Sequence, residues 1–190
     1  MQQLGEVSDI LQGVQISRYQ NPSGDCYQIV SPRNVEGLTL NGESYSATLS
    51  NTDFNKYQIY NGDILVVIRF NIGKAALVPE TFNGNLADQY LSIVRIKSLL
   101  DILPRYLVVI LNSEWFQRQL ASITSLSTVK LISISQLRKL NIPIPPIELQ
   151  QKISDLFFTL EELKISSLNA LQIRQQIAED SLFQLLGENV

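Results

Sequence analysis

From Ile147 to Leu186 the sequence runs 40 residues without a glycine or a proline. Apolar residues at Leu149, Ile153, Leu156, Leu160 and Leu163 recur at steps of three and four, which places them on one stripe of a helix. After Leu163 the stripe slips, then resumes through Leu168, Leu171, Gln175, Ala178, Leu182 and Leu185. Leu160 to Leu171 is thus an eleven-residue step instead of a strict heptad, a stutter that locally relaxes supercoiling. Pro145 and Pro146 stand just before the first turn, where a missing N–H removes no needed hydrogen bond. Glu148 then meets the positive end of the helix dipole, and Gly187 is placed as a C-terminal stop. A continuous helix over this span reaches ~60 Å. A preceding domain of about 145 residues cannot cover it, so its stripe needs a partner outside that domain. The competing arrangement is a helical hairpin broken near Ser166-Ser167, which the absence of Gly and Pro disfavours.

Upstream the pattern is predominantly β with short helices. Leu4 to Leu11 reads as a brief helix or strand entry ended by Gly13. Cys26-Tyr27-Gln28-Ile29-Val30 is a β-rich pentad between the turn chemistries Pro22-Ser23-Gly24-Asp25 and Ser31-Pro32. Asn61-Gly62-Asp63 is a strong turn signal, and Ile64 to Phe70 follows as an apolar run. Ala75 to Val78 and Tyr90 to Ile96 complete the central strands, and Thr128 to Ile134 is expected as a further one. Strands this short and numerous suggest a twisted, curled sheet. Leu103-Pro104 opens a helix expected over Arg105 to Leu120, in which Trp115 and Phe116 are expected in the core. The fold class is therefore α+β, with a domain over 1–146 and a long coiled-coil-type helix in 147–190.

The run from Ile134 to Ile153, with Ile142-Pro143-Ile144-Pro145-Pro146 followed by Glu148-Leu149-Gln150-Gln151-Lys152-Ile153, resembles the end of a target-recognition domain in type I restriction-modification specificity subunits. Those proteins show a leucine-rich approach, proline-containing steps, then Glu-x-Gln-x-x-Ile opening a spacer helix. Leu4 to Gly13 is similar to that family's opening, and Asn61-Gly62-Asp63-Ile64-Leu65 followed by Gly73 resembles its mid-domain segment. Residues 14 to 60 match little, which in that family is where variable recognition sequence is expected. A full specificity subunit resembles two such units in tandem, whereas this chain has no internal repeat and holds one. Met1 directly before the family-like opening favours a half-length chain as a natural product.

Composition sets limits on chemistry. The chain has no histidine, so neither the usual serine or cysteine triad nor a histidine-ligated metal is available. The single cysteine, Cys26, excludes an intrachain disulfide and a multi-cysteine zinc site. There is no phosphate-cradling Walker sequence, dinucleotide loop or methyltransferase signature. Asp63 and Asp88 could be imagined as a nuclease pair, but Asp63 lies in a turn where aspartate serves local hydrogen bonding. No catalytic residue, metal or cofactor is assigned. No apolar run approaches a membrane span and no signal peptide opens the chain, so a cytoplasmic protein is expected. The net charge is -3. Residues 1–150 hold 12 Lys+Arg and 12 Asp+Glu, and residues 151–190 hold 3 and 6. A neutral domain can still bind DNA through cations clustered on one face.

Candidate DNA-facing residues in or beside loops are Arg18, Arg33, Lys56, Arg69, Asn71, Lys74 and Lys130, with Asn34, Asn51 and Asn55 nearby. Arginine can pair with guanine, asparagine with adenine, and lysine with phosphate. Hydroxyls in Ser122 to Thr128 could contact phosphates. Arg69 and Lys74, flanking Asn71-Ile72-Gly73 between two strands, are the stronger candidates. The resemblance implies that Leu156, Leu160, Leu163, Leu168 and Leu171 dimerise two copies, which would read a two-part palindromic site in double-stranded DNA. It also implies docking of a DNA methyltransferase and, through it, a restriction subunit. The alternative is a protein-protein module that pairs with another specificity subunit and reads no DNA.

Overall fold

The computed structural model describes residues 1–124 and 131–187. Its first strand, β1 (Gln2–Gln3), leads into the single-turn helix α1 (Leu4–Val7) and β2 (Ser8–Gln12). Then come β3 (Gln20–Val30), β4 (Tyr45–Leu49), β5 (Ile64–Val67), β6 (Ala75–Leu77), β7 (Leu86–Ala87) and β8 (Leu91–Ile96). Three helices follow, α2 (Pro104–Asn112), α3 (Glu114–Thr124) and α4 (Ile134–Arg138), then β9 (Asn141–Ile142) and α5 (Ile147–Leu186). Mixed α+β architecture with short helices and one long terminal helix is what the sequence leads one to expect.

The strands divide among three sheets. The largest is antiparallel in the order β2-β8-β5-β6, with Leu11 opposite Ile93 and Ile93 opposite Leu65. β5 is Ile-Leu-Val-Val with every residue buried, the uniform apolar run of a strand covered on both faces. A second sheet, β4-β3-β7, pairs β3 antiparallel with β4 and parallel with β7. In the third, β1 pairs with β9, so Gln2 lies opposite Ile142 and the proline gate is tied to the start of the chain. One core joins Val30, Leu65, Val67, Ala76, Val78, Leu91 and Ile93. A smaller one gathers Val14, Ile16, Ile29, Leu49, Phe54 and Leu86 under the β3–β4 hairpin. Gly13 lets the chain after β2 pass close against the backbone of Ala87 and Asp88: a Cβ there would stand 2.1 Å from the carbonyl oxygen of Asp88.

Several elements differ from the sequence expectation. The helix expected over Arg105 to Leu120 is two helices. Ser113 has extended backbone (ψ 148°), and its hydroxyl accepts from the Phe116 N–H at 3.2 Å, capping α3 afresh. Phe116 is fully buried while Trp115 is 39% exposed, so only half of that pair is core. The strand expected over Thr128 to Ile134 is not one where the structure describes it. Leu131 makes a single bridge to Arg69, and Ile134 already opens α4, capped by a reciprocal Ser133–Gln136 box. Its residues 128–130 lie outside the described residues, as do Lys130 and most of the hydroxyl-rich Ser122 to Thr128 segment. Pro22 to Asp25 lies inside β3 as an irregularity, the register jumping so that Gln20 and Asp25 both face Leu49.

The chain separates into two compact units, Met1–Ser154 and Asp155–Val190. α5 is continuous from Ile147 to Leu186, and Gly187 stops it with φ +74°. Its first two turns belong to the first unit, where Gln150 and Ser154 are fully buried. In the second unit Leu156, Leu160, Leu163, Leu168 and Leu171 are each more than half exposed. No described helix is long and apolar enough to cross a membrane.

Candidate nucleic-acid interface

Cations inside the first unit fall into two groups, those consumed by the fold and those on offer. Arg95 holds Asp63 through two bonds, Nε to Oδ1 at 2.7 Å and Nη2 to Oδ2 at 2.6 Å, and lies over the Tyr60 ring. Lys97 donates to the carbonyl of Gly5 at 3.0 Å, Arg118 to Glu114 at 2.7 Å, and Arg138 to the carbonyl of Ile10 at 2.7 Å. Arg95, Lys97 and Arg138 tie distant segments of the fold together, whereas the Arg118–Glu114 pair lies one turn apart on α3 and is exposed on both sides. The cations named from the sequence are placed differently.

Arg69, Asn71 and Lys74 come together on one turn, the β5–β6 connection, with Asn71 and Lys74 exposed. The turn is closed by the Gly73 N–H on the Val67 carbonyl and the Val67 N–H on the Lys74 carbonyl, at 2.9 and 2.8 Å. From behind, Gln117 of α3 donates its amide to the carbonyls of Gly73 (3.0 Å) and Leu111 (2.9 Å). Gly73 has φ +89°, a backbone that strains any other residue, and a Cβ there would also press on the side-chain ends of Leu120 and Gln117, 2.4 Å from Leu120 Cδ1. Arg69 stacks its guanidinium over the rings of Phe70 and Tyr90, 5.2 and 5.5 Å from their centroids. Its Nε is buried and has no hydrogen-bond partner among the described residues. Phe70 and Tyr90, absent from the sequence candidates, are thus part of this surface.

A second grouping surrounds Phe54. Tyr19 and Tyr27 stand edge-on to it, each 5.2 Å between centroids, and Tyr57 lies 6.4 Å away. Arg18, exposed, adjoins Tyr19; Lys56, exposed, places its Nζ 4.7 Å over the Tyr57 ring. Arg33 is exposed on the turn after β3. Its neighbour Asn34 is buried, bonding Ser31, Asn41 and Glu43, and is a loop staple with no edge left for a base. An open groove of about 500 Å³ lies beside the β3–β4 hairpin, lined by Gln28, Glu43, Ser44, Ser46, Thr81 and Asn85. Ser44 and Ser46 are tied to Gln28 at 3.0 and 2.9 Å, so this wall is a polar network of donors and acceptors.

The two aspartates imagined as a pair have separate partners. Asp63 is saturated by Arg95 and the Tyr60 N–H (2.9 Å), the structural reading its turn position favours. Asp88 accepts from the Tyr90 N–H at 3.0 Å and from the Tyr45 hydroxyl at 3.4 Å. Burial pushes the Asp88 carboxyl above its ordinary range, opposed by those two donors. Burial and that neighbouring carboxylate push the Tyr45 phenol up to about 12. Among the described residues no cluster of three or more His, Cys, Asp or Glu could hold a metal ion.

Compared with known proteins, residues 1–179 match the family model described as type I restriction modification DNA specificity domain. No curated protein matches the sequence. Among solved structures, a chain from work on complex assembly and conformational transition of the type I R-M system is similar with TM-score 0.65 at 19% identity, over 97% of this chain and 43% of that one. The HsdS subunit from Thermoanaerobacter tengcongensis gives TM-score 0.62 at 19% identity, over 90% and 39%. The type-I restriction-modification system S subunit from M. genitalium gives 0.64 at 16%, over 97% and 45%. The chain therefore spans less than half the length of these solved relatives.

Proposed function

This chain belongs to the family of type I restriction modification DNA specificity domains, and from that premise we propose that it is the sequence-reading, non-catalytic subunit of a cytoplasmic type I restriction-modification system. It binds double-stranded DNA through the first unit, chiefly by the β5–β6 turn with Arg69, Asn71 and Lys74 and secondarily by Arg18, Arg33 and Lys56. Two copies pair through the second unit, and their two-fold symmetry makes the target a two-part inverted repeat with a fixed gap. Methylation and cleavage belong to a docked DNA methyltransferase and restriction subunit.

The observation that carries this reading is the exposed apolar stripe of the second unit. Leu156, Leu160, Leu163, Leu168 and Leu171 keep coiled-coil spacing on either side of the stutter, yet stand 51–59% exposed. Ile165, Ile173 and Ile177 lie off that stripe and are equally exposed. Apolar residues on more than one face suit a helix that pairs with its copy and also takes further helices from a partner.

The test is selection from a random duplex library with the chain alone and with a co-expressed methyltransferase. A bipartite inverted repeat is the expected result, and no enrichment in either condition defeats the reading. A second reading, a protein-protein module that reads no DNA, is favoured by the neutral first domain and by the three cations its fold consumes, Arg95, Lys97 and Arg138. Salt separates the two, because phosphate contacts give a steep negative slope of log affinity on log salt and a protein module gives none for DNA.

A further inference from the structure

We propose that Phe70 is a wedge that enters the base stack of the bound duplex at one step, a role that rests on the DNA-binding reading above. Its backbone points there first. Phe70 has φ +70° and is the one non-glycine residue at positive φ among the described residues. A bulky side chain in that region is strained, and glycine at the same place would relieve it. The ring gives the core nothing in return, being 66% exposed. Strain held by the surrounding structure collects where a ligand is gripped.

The ring is also held still. Tyr90 braces it edge-on at 5.7 Å and 65°, and the Arg69 guanidinium lies over both rings. The turn beneath is fixed by the Ile68 N–H on the Tyr90 carbonyl at 2.9 Å and by Gln117 on Gly73. A loose aromatic would fold back onto the surface; a braced one presents an apolar edge outward at little further entropic cost on binding.

The neighbours define what it meets. From Ile64 to Pro79 there is no acidic residue, and Arg69, Asn71 and Lys74 surround the ring in sequence. Two cations on a turn that carries no acid of its own suit phosphates, exposed amide chemistry suits a base edge, and a braced apolar ring between them suits a base step. Phe70 supplies unstacking while Lys74 supplies charge, so the two act on different observables.

The experiment uses the full chain on the duplex recovered by library selection, with 2-aminopurine placed in turn at each adenine. The wild-type chain should raise fluorescence severalfold at one position. Phe70→Gly should melt at the same temperature or higher, bind roughly tenfold more weakly, lose the fluorescence rise and keep the salt slope. Phe70→Asn, a residue tolerant of the same backbone, should behave likewise and guards against a peculiarity of the glycine variant. Lys74→Ala should reduce the salt slope by about one charge and retain the rise. Undiminished binding by both Phe70 variants, or a wild-type chain that raises fluorescence nowhere, overturns the wedge while leaving DNA recognition standing. A wild-type chain that selects no sequence overturns both.

Discussion

Gln150, in the second turn of the 40-residue helix, accepts the Leu103 N–H on its Oε1 at 2.9 Å. Its Nε2 donates to the carbonyls of Asp101 (2.9 Å) and Pro145 (2.8 Å). One buried side chain therefore satisfies the loop before α2, the last step of the proline gate and the start of α5. Ser154, one turn on and fully buried, returns its hydroxyl to the Gln150 carbonyl at 2.8 Å. A glutamine is needed here because only an amide offers an acceptor and two donors on a neutral group of this length. The glutamine of the helix opening is thus a hydrogen-bonding requirement of the first unit.

Gln150→Ala should leave the Leu103 N–H and two carbonyls buried without partners, costing roughly 2–4 kcal/mol in urea unfolding of the full chain. Gln150→Glu keeps the acceptor but turns a carboxylate toward two carbonyl oxygens. That variant should be less stable than wild type at neutral pH and recover as pH falls, because the protonated acid can donate. A Gln150→Glu chain whose deficit does not change with pH would show that Nε2 is not a needed donor.

Asp63 and Arg95 make the next expectation. Their bidentate pair is buried on the aspartate side and 37% exposed on the arginine side. Asp63→Asn should lose about 1–3 kcal/mol, less than a wholly buried pair, since the guanidinium can still find water. Combining it with Arg95→Gln should cost less than the sum of the single changes. Additive losses in that cycle would mean the two groups do not interact.

How legible these features are in the sequence follows from whether their cause is local. The limits of α5 are readable because Pro146 and Gly187 bracket a span without breakers, and Asn61-Gly62-Asp63 is readable because Gly62 supplies φ +90°. The break at Ser113 is a local cap signal inside a strong helical pattern, and it is fixed from afar. Asn112 turns its amide to both backbone groups of Ala75, at 3.1 and 2.7 Å, which ties the end of α2 to the sheet edge. β4 is hidden for a different reason: Tyr45-Ser-Ala-Thr-Leu49 buries only its last residue fully and exists through pairing with β3. Among the site residues, sequence singles out Arg69 and Lys74 because a turn lies between them. It passes over Phe70 because an apolar residue ending an apolar run looks like core. Only the backbone angle and the exposed ring reveal otherwise.

Asp88 gives a pH dependence of definite sign. Its folded carboxyl keeps a proton to higher pH than the ordinary value of 3.8, because burial penalises the charge. Between that value and the raised one the folded state binds more protons than the unfolded state, so this group's contribution to stability falls as pH rises through the window. Asp88→Asn should flatten that part of the curve and raise stability above it. The cost of the change is small, since the Tyr90 N–H can still be accepted and the Tyr45 bond, at 3.4 Å, is long. Thermal melts from acid to neutral pH are the measurement, and parallel curves for the two chains would remove Asp88 as the cause.

The leucine stripe carries the final expectation. Leu160 and Leu163 are 51% and 58% exposed in the single chain, so charging them breaks nothing inside the first unit. In a two-fold helix pair each would bury its exposed half against the partner, at about 0.8–1.5 kcal/mol per leucine. Leu160→Glu with Leu163→Glu removes that gain from both copies and adds like charges across the seam. The double variant should sediment as a monomer while its first unit melts as before. On DNA it should select one half-site in place of the gapped repeat, because each domain still reads but nothing fixes the second at a distance. An unchanged dimer would place the pairing surface elsewhere on the chain, and a gapped repeat selected by a monomer would sever target architecture from the helix altogether.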